Sequence, residues 1–229
     1  MRKIFQLIIF LLIIISTINT YSTEEKKTLA ILDFSNNCIV EKEKHASLSR
    51  GLAEIMITEL SKVKSLKLVE RQKINSLIQE MQLSQSGLIS DDAGVQVGKL
   101  LGAHFLVFGS YMISFNNKIR VDIRIVEVET GVTIEAEEVT NKVSNLFKII
   151  KNLNEKITKD LNVKLTKQEK KSLNETDASL DVISFFSKGL EYEELNKIDK
   201  AIKMYTKTLE KDPDFEPAKK RLKEISDKS

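Results

Sequence analysis

Residues 68–111, LVERQKINSLIQEMQLSQSGLISDDAGVQVGKLLGAHFLVFGSY, decide the fold of this chain. After the end of a strand, apolar residues recur at i, i+3, i+4 and i+7, the spacing of a helix that buries one face. These residues are Ile74, Leu77, Ile78 and Met81. A polar break around Gly87 follows, and Ser90 is a candidate N-cap for a second helix that ends at Gly102. The predicted core stripe of this second helix consists of Ala93, Val97, Leu100 and Leu101.

The segment closes with a continuous apolar run at residues 105–108. Such a run is typical of a strand covered on both faces, so helices are expected on both sides of the sheet. Upstream, residues 29–34 form a second run of this kind, and residues 48–63 repeat apolar side chains with helical spacing before a strand at residues 66–69. This arrangement predicts an α/β fold in which a parallel strand pair is joined by a right-handed crossover.

Downstream of the central segment the apolar period changes to two, which predicts antiparallel strands. Residues 119–125 alternate apolar and charged side chains, Asn116 and Asn117 fit a hairpin turn before them, and the apolar phase shifts at Val126, which indicates a β-bulge. On the last strand Val132, Ile134 and Ala136 are expected to face inward, with Glu137 facing water opposite Arg124. A helix of about five turns over residues 143–161 then closes the first domain.

The N-terminal residues resemble a secretory signal peptide, assigned here to residues 1–22. Arg2 and Lys3 precede an apolar run at residues 7–15, which is shorter than the roughly 20 residues that a membrane-spanning helix needs. A permanent membrane anchor is the alternative. The sequence therefore predicts an exported mature chain without a spanning segment, cleaved near Thr20 or Ser22, and not lipid-modified because no cysteine follows the apolar run.

Composition argues against several function classes. The 36 Lys and Arg residues and 33 Asp and Glu residues are interspersed, so no nucleic-acid partner is expected. Cys38, His45 and His104 are too few for a metal site, so we expect neither a metal nor another cofactor, and Cys38 is interpreted as a structural residue in preference to a nucleophile. Glu70, Arg71 and Glu80 could form a catalytic cluster, but a surface ion pair at a helix start is the favoured interpretation. The chain is therefore expected not to be an enzyme.

Two domains are predicted, at residues 28–165 and 179–229, with a polar linker at residues 166–178. The expected architecture is a mixed sheet of about five strands packed by helices, followed by a small all-α helical hairpin with a capping helix. The second domain matches the spacing of a tetratricopeptide repeat, although Lys188 and Thr208 depart from it and an ordinary helical hairpin is the alternative. The matching residues are Phe185, Gly189, Tyr192, Ala201, Tyr205 and Pro213.

The first helix of this second domain carries the predicted partner-binding residues. Ile183, Phe186 and Leu190 recur at i, i+3 and i+7 on a face that the hairpin itself does not cover, and Glu193 and Glu194 follow them. An apolar face of this size has to be buried, because each such side chain contributes roughly 1.5–3 kcal/mol when it leaves water. We expect the face to pack against the first domain, a second copy of the chain or a helix of a partner protein.

Residues 29–140 resemble the curli assembly and transport component (CsgG-like) family, whose relatives include flagellar outer-membrane assembly proteins and lipoprotein activators of penicillin-binding proteins. The matching residues are Ala30 to Phe34 (AILDF), Val69-Glu70-Arg71, Glu80, Gly98 to Ala103 (GKLLGA), Gly109-Ser110 and Val126 to Gly131 (VEVETG). The family's pore-forming members carry a membrane-spanning hairpin after the Gly-Ser pair. Here that connection is too short for one, so the chain resembles the family's core domain without its pore hairpins.

The resemblance implies a function in assembly and not in catalysis. The leading hypothesis is a periplasmic accessory protein of assembly or secretion, peripheral to the outer membrane, that binds protein partners of the cell envelope and is open to homo-oligomerisation. The alternative is a regulator of a peptidoglycan synthase, as the activators of penicillin-binding proteins are. An enzyme is a second rival, against which the scarcity of His and Cys and the lack of a phosphate-binding loop speak.

Overall fold

The computed structural model describes residues 25–81, 91–175 and 177–227. The predicted signal peptide, the polar break around Gly87 and the candidate cap Ser90 lie outside the described residues. Among the residues that the structure describes, no helix is both long and apolar enough to cross a membrane.

A mixed six-stranded sheet forms the centre of the fold, with the order β3-β1-β4-β5-β6 and β2 paired to β4. β1 pairs in parallel with β3 and β4, whereas β4, β5 and β6 are antiparallel neighbours. The strands are β1 (Lys27–Ile31), β2 (Ser35–Asn36), β3 (Leu66–Leu68), β4 (Phe105–Ile113), β5 (Lys118–Glu127) and β6 (Thr133–Lys142). The predicted α/β class and the mixed sheet are confirmed, with one short strand more than expected.

Eight α-helices pack around this sheet in the described part of the chain. They are α1 (Leu48–Leu60), α2 (Arg71–Glu80), α3 (Asp91–Leu100), α4 (Leu146–Asp160), α5 (Lys167–Glu175), α6 (Leu180–Glu194), α7 (Ile198–Lys211) and α8 (Glu216–Ser226). Short 3-10 turns at Lys42–His45 and Val143–Asn145 precede α1 and α4.

Helices cover both faces of the parallel part of the sheet. Val107 of β4 belongs to a core that contains α1 and α4, and the preceding residue, Leu106, belongs to a second core with α2 and α3. Because successive side chains of a strand point to opposite faces, this confirms that the strand at residues 105–108 is covered on both sides. The strand-helix-strand unit β1-α1-β3 is the predicted crossover between parallel neighbours.

The apolar stripe of α2 is confirmed, and that of α3 is confirmed in part, since Ala93 is only half-buried. In α2, Ile74 and Ile78 are buried, with Leu77 and Met81 packed against them. In α3, Val97 is buried, but Leu100 is 61% exposed, so its assignment to the core was wrong. The buried side of α3 is the one shared by Val97 and Leu101, and Leu100 points about 100° away from Leu101 around the helix axis.

The bulge predicted at Val126 is present, but its extra residue belongs to the partner strand. Ile125 lies opposite Glu135 and Val126 lies opposite Thr133, so Ile134 of β6 has no counterpart. Ile125 and Val126 are both buried because this end of β5 is covered on both faces. The shift of the apolar phase at Val126 therefore arises because helices cover both faces of β5 at this end, and not because β5 has an extra residue.

The inward-facing residues predicted for the last strand were wrong. Val132 is 57% exposed, and Ile134 and Ala136 are exposed as well. Residues directly opposite each other in an antiparallel pair point to the same face, and Glu137 lies opposite the buried Ile123. Glu137 therefore faces α4, where it forms an ion pair with Lys156.

The predicted linker at residues 166–178 contains a packed helix, α5. Leu173 is buried in the core that α1 and α4 share, and the Glu169 carboxylate accepts a hydrogen bond from the backbone N–H of Lys64 at 2.9 Å. A single buried apolar residue is too weak a pattern to indicate a helix from sequence. Helix α5 therefore packs on the α/β unit.

The C-terminal residues form the predicted helical hairpin, α6 and α7, with α8 as a third helix. A Cβ atom added at Gly189 would lie 2.3 Å from the ring of Tyr205, so the small residue allows α6 and α7 to approach closely, as expected. The rings of Phe186, Tyr205 and Phe215 meet between the three helices. Whether this unit is a tetratricopeptide repeat stays a prediction.

Candidate functional site

Asp33 and Arg71 meet where two parallel strands end. Asp33 follows β1 and Arg71 opens α2 directly after β3, and the Arg71 guanidinium donates a hydrogen bond to the Asp33 carboxylate. Carboxyl ends of parallel strands lie along one edge of a sheet, which is the usual place for binding crevices in α/β folds. Arg71 is buried and pairs with Asp33, so it does not form the surface ion pair that was predicted at the start of this helix.

The C-terminal helices join this pair through a chain of ion pairs. Arg50 of α1 lies 3.5 Å from the Asp33 carboxylate and also contacts Glu194 of α6. The neighbouring Glu193 accepts hydrogen bonds from Arg221 of α8, at 3.2 Å from Nε, and from the Tyr205 hydroxyl at 2.8 Å. We call this set the junction network; it comprises Asp33, Arg50, Arg71, Glu193, Glu194 and Arg221.

Arg221 and Tyr205 donate hydrogen bonds to the same carboxylate, that of Glu193. Burial disfavours the charged form of Arg221, but the carboxylates of Glu193 and Glu54 outweigh it and raise the pKa of the guanidinium. Burial, and then the negative charge of Glu193, raise the pKa of the Tyr205 hydroxyl, which therefore remains a neutral donor. Charge-assisted hydrogen bonds of this kind are stronger than neutral ones and restrict the side-chain geometry. Glu193, Tyr205 and Arg221 therefore hold one another in a defined arrangement.

Three clefts open around the junction network. The first, of about 440 Å³, lies beside Asp33, Arg50 and Glu194, with Leu195 on its wall. A second, of about 350 Å³, lies between the start of α2 and Glu193. A third, of about 370 Å³, lies between α1, the start of α2 and α8. Their walls combine fixed carboxylates and guanidinium groups, which suits the recognition of charged or polar groups.

The structure divides the predicted partner-binding residues into two groups. Ile183, Phe186 and Leu190 are buried in the chain's own core, where α6 packs on α1, so they do not form an accessible surface. The first domain thus provides the cover that the sequence showed this face to require. Glu193 and Glu194 instead belong to the junction network and line the clefts.

Sequence reasoning missed the members of the network that lie outside α6. Asp33 lies in the AILDF stretch that carries the family resemblance, but no role was assigned to its side chain. Arg50 lies on the polar side of an amphipathic helix, where exposure to solvent was expected. Only the packing of α6 over α1 converts that polar side into an interface. The quoted motifs contain Asp33 and Arg71, but the local sequence does not show that these two residues meet.

Cys38, His45 and His104 have structural contacts. The Cys38 sulfur accepts a hydrogen bond from the Ile113 N–H at 3.3 Å, and burial raises the pKa of its thiol, which disfavours the nucleophilic thiolate. His104 Nδ1 accepts from the Thr28 N–H at 3.1 Å. The backbone carbonyl of His45 accepts from the Tyr111 hydroxyl at 2.6 Å. Among the described residues, no group of three or more His, Cys, Asp or Glu side chains is arranged to hold a metal ion.

Comparison with known families supports the resemblance noted in the sequence. The family model for the curli production assembly/transport component CsgG matches residues 12–120. This range ends within β5, so it does not include the C-terminal helices. A search of curated proteins found no match.

Several solved structures are similar to part of the fold. The LpoB C-terminal domain from Salmonella enterica is 16% identical, with a TM-score of 0.41 over 52% of this chain and 84% of that chain. Lipoprotein GNA1162 from Neisseria meningitidis is 10% identical, with a TM-score of 0.43 over 61% of this chain and 99% of that chain. A PelC dodecamer from Paraburkholderia phytofirmans is 10% identical, with a TM-score of 0.36 over 62% of this chain and 91% of that chain.

Proposed function

We propose that this protein is a non-enzymatic accessory protein of the cell envelope that acts by binding other proteins. The observation that carries the proposal is the match of residues 12–120 to the family of the curli production assembly/transport component CsgG. A role in assembly or secretion, in the periplasm and peripheral to the outer membrane, is the form of this function that agrees with the signal-peptide pattern at residues 1–22.

The packing supports a binding role. α6 packs on α1 through a continuous apolar core, and the junction network ties α6 and α8 to the edge of the sheet. A rigid surface loses little conformational freedom when a partner binds, which favours affinity. The clefts around the network are the surfaces that we assign to partner recognition, in place of the buried face of α6.

Site-specific photocrosslinking tests the proposal in the native cell envelope. A photoreactive amino acid at Leu195, an exposed residue on the wall of the first cleft, reports on partners of the junction. The same probe at Phe115, which is 85% exposed at the β4–β5 hairpin, is the matched control. We expect position 195 to crosslink to an outer-membrane assembly or secretion protein, or to a second copy of the chain, more strongly than position 115.

Two results would change the assignment. A crosslink to a peptidoglycan synthase would establish the alternative, a regulator of cell-wall synthesis. Equal labelling at both positions, without an enriched envelope protein, would contradict a partner-binding role for the junction.

A further inference from the structure

Glu54 is a buried carboxylate that the fold leaves partly unsatisfied. It lies on α1 and is 3% exposed, and its Oε2 atom has no hydrogen-bond partner among the described residues. Arg221 compensates part of its charge through space, but the hydrogen bonds of Arg221 go to Glu193 and Glu224. Buried polar atoms are nearly always hydrogen-bonded, so an exception of this kind indicates a place for another group.

A second buried carboxylate on the same helix has hydrogen-bond partners for both of its oxygens. Glu59 is as deeply buried as Glu54, and its two oxygens accept hydrogen bonds from Lys62 Nζ at 2.9 and 2.8 Å. One buried carboxylate of α1 therefore has a hydrogen-bonded counter-ion, whereas Glu54 has only the through-space charge of Arg221 and lines the third cleft, whose volume is about 370 Å³.

The walls of the third cleft carry charged groups of both signs, and among them Arg221 donates to Glu193 and Glu224. Arg71 lines the cleft but donates to Asp33, and Lys220 lies 3.9 Å from Glu224. Glu70, at the start of α2, adds a further carboxylate. Apolar side chains complete the lining; these are Ile57, Leu66, Leu68 and Val69. The cleft thus combines an apolar wall with a carboxylate that lacks a donor.

We propose that this third cleft binds a primary ammonium group on an aliphatic stem, with Glu54 as its counter-ion. An ammonium is a compact positive charge with three donors, which suits one unpartnered carboxylate oxygen better than the planar fork of a guanidinium, and its stem can lie along apolar side chains. A lysine side chain is the group of this kind that proteins carry. The inference rests on the proposed function only for the source of the amine, a lysine of a protein partner.

The test is an NMR titration of the isotope-labelled full chain. The probe is Nα-acetyl-lysine N-methylamide, and the neutral control is the norleucine analogue, which has the same stem without the charge. We expect saturable shifts at residues 54, 57 and 68 with the lysine probe, and binding at least tenfold weaker with the norleucine analogue. Equal binding of the two probes, or no saturable shift with either, overturns the proposal.

Two matched variants locate the site. Glu54→Gln removes the charge at constant size and should weaken binding of the lysine probe at least tenfold. Glu59→Gln makes the same change on the same helix and should leave binding unchanged, although it also breaks the ion pair with Lys62. Glu43→Gln is a second control at an exposed position, where the substitution does not disturb the fold. Unchanged binding in Glu54→Gln overturns the assignment of the counter-ion.

The source of the amine is a separate readout. Butylammonium carries the charge and stem without a peptide backbone. Tighter binding of lysine-containing peptides than of butylammonium supports a partner's lysine, whereas equal affinities identify the ligand as a small amine and leave the ammonium site intact. Failure of the crosslinking experiment alone, with amine binding retained, would reject the proposed function and not this site.

Discussion

The two faces of the sheet are covered to different depths. On one face α1 and α4 lie on the strands, and α6, α7 and α8 then pack over α1, so that a single apolar core continues from β1 to the C-terminal helices. On the other face α2 and α3 form one layer with a small core of their own. Two layers of helices therefore cover the first face of the sheet, and one layer covers the second.

The difference shows why α1 is buried on all sides. Its apolar stripe faces the sheet, but Glu54, Thr58 and Glu59 on its polar side are buried as well. A surface helix normally exposes its polar residues to solvent. In this protein the C-terminal helices α6 and α8 pack on α1, and Glu54 lines the third cleft together with Arg221.

Truncation of Phe186 tests the deeper face with the largest expected effect. Phe186 is fully buried, with ring centroids 5.3 Å from Phe215 and 5.8 Å from Tyr205. Phe186→Ala removes these contacts and leaves a cavity, so the free energy of unfolding should fall by about 3–5 kcal/mol. Chemical denaturation monitored by circular dichroism measures it.

The control is Phe115→Ala, at an exposed position, which should change the free energy of unfolding by less than about 0.5 kcal/mol. If Phe186→Ala instead leaves the main transition in place and adds a separate early one, the C-terminal helices unfold independently, and the continuous core described above does not act as one cooperative unit.

A pair of identical substitutions compares the two faces directly. Ile183 lies in the deeper core and Ile78 in the single-layer core, and both are buried. Each isoleucine-to-alanine change should cost roughly 2–5 kcal/mol, with Ile78→Ala at the lower end because an outer layer relaxes more easily around a cavity. Hydrogen exchange should then rise in α1 and α6–α8 for Ile183→Ala, but in α2 and α3 for Ile78→Ala. An identical exchange pattern for both variants would argue against two separate cores.

Features of the fold that depend on neighbouring residues could be predicted from the sequence, whereas features that depend on contacts between distant segments could not. The strand at residues 105–108 was predicted because a continuous apolar run by itself indicates burial on both faces of a sheet. The orientation of β6 was predicted wrongly. Ile134 and Ala136 suggested that their face of the strand is buried, whereas the register with β5 places Glu135 and Glu137 on the inner face. Helix α5 was missed because Leu173 is its single buried apolar residue and gives no helical pattern.

The candidate site was beyond prediction for the same reason. Asp33 follows β1, Arg50 and Glu54 lie on α1, and Arg221 lies on α8, so these residues come from three segments that are distant in the sequence. Their meeting depends on the docking of α6 and α8 on α1. The sequence indicated that Ile183, Phe186 and Leu190 needed cover, but it left open which of three surfaces provides it.

The contact between α1 and α6 can be tested at its closest point. A Cβ atom at Gly51 of α1 would lie 1.8 Å from Ser187 Oγ and 2.8 Å from Ser187 Cβ. Gly51→Ala should therefore cost about 1–3 kcal/mol as an overpacked contact, although alanine favours a helix intrinsically. Thermal and chemical denaturation measure the loss.

A double-mutant cycle identifies the cause. Ser187→Gly removes both atoms that the new methyl group meets, so the Gly51→Ala change should be much less costly in the Ser187→Gly background than in the wild type. Additive effects of the two substitutions would show that α1 and α6 are less closely packed than described.

The smallest predicted effects concern two acids whose pKa values shift in opposite directions. Hydrogen bonds from the backbone N–H groups of Lys64 and Thr166 lower the pKa of Glu169, which secures α5 to the deeper face. Burial, and then the charges of Glu135 and Glu137, raise the pKa of Asp160 near the open edge at β6. One carboxylate is therefore stabilised by its surroundings and the other is not.

The signs of the two stability effects follow from proton linkage. A lowered folded-state pKa means that Glu169 stabilises the fold above its unfolded value near 4.5 and that this contribution disappears as the pH falls through the lowered pKa. Glu169→Gln should thus cost about 1 kcal/mol at pH 7 and progressively less in acid. Because the folded-state pKa of Asp160 is raised, ionisation of this carboxyl destabilises the folded protein as the pH rises above the ordinary value of 3.8. Asp160→Asn should therefore raise the free energy of unfolding at pH 7 slightly, by about 0.5 kcal/mol or less. Melting temperatures of both variants between about pH 3 and pH 8 check the pair; effects of the same sign at pH 7 would contradict the contrast between the tightly covered face and the open edge.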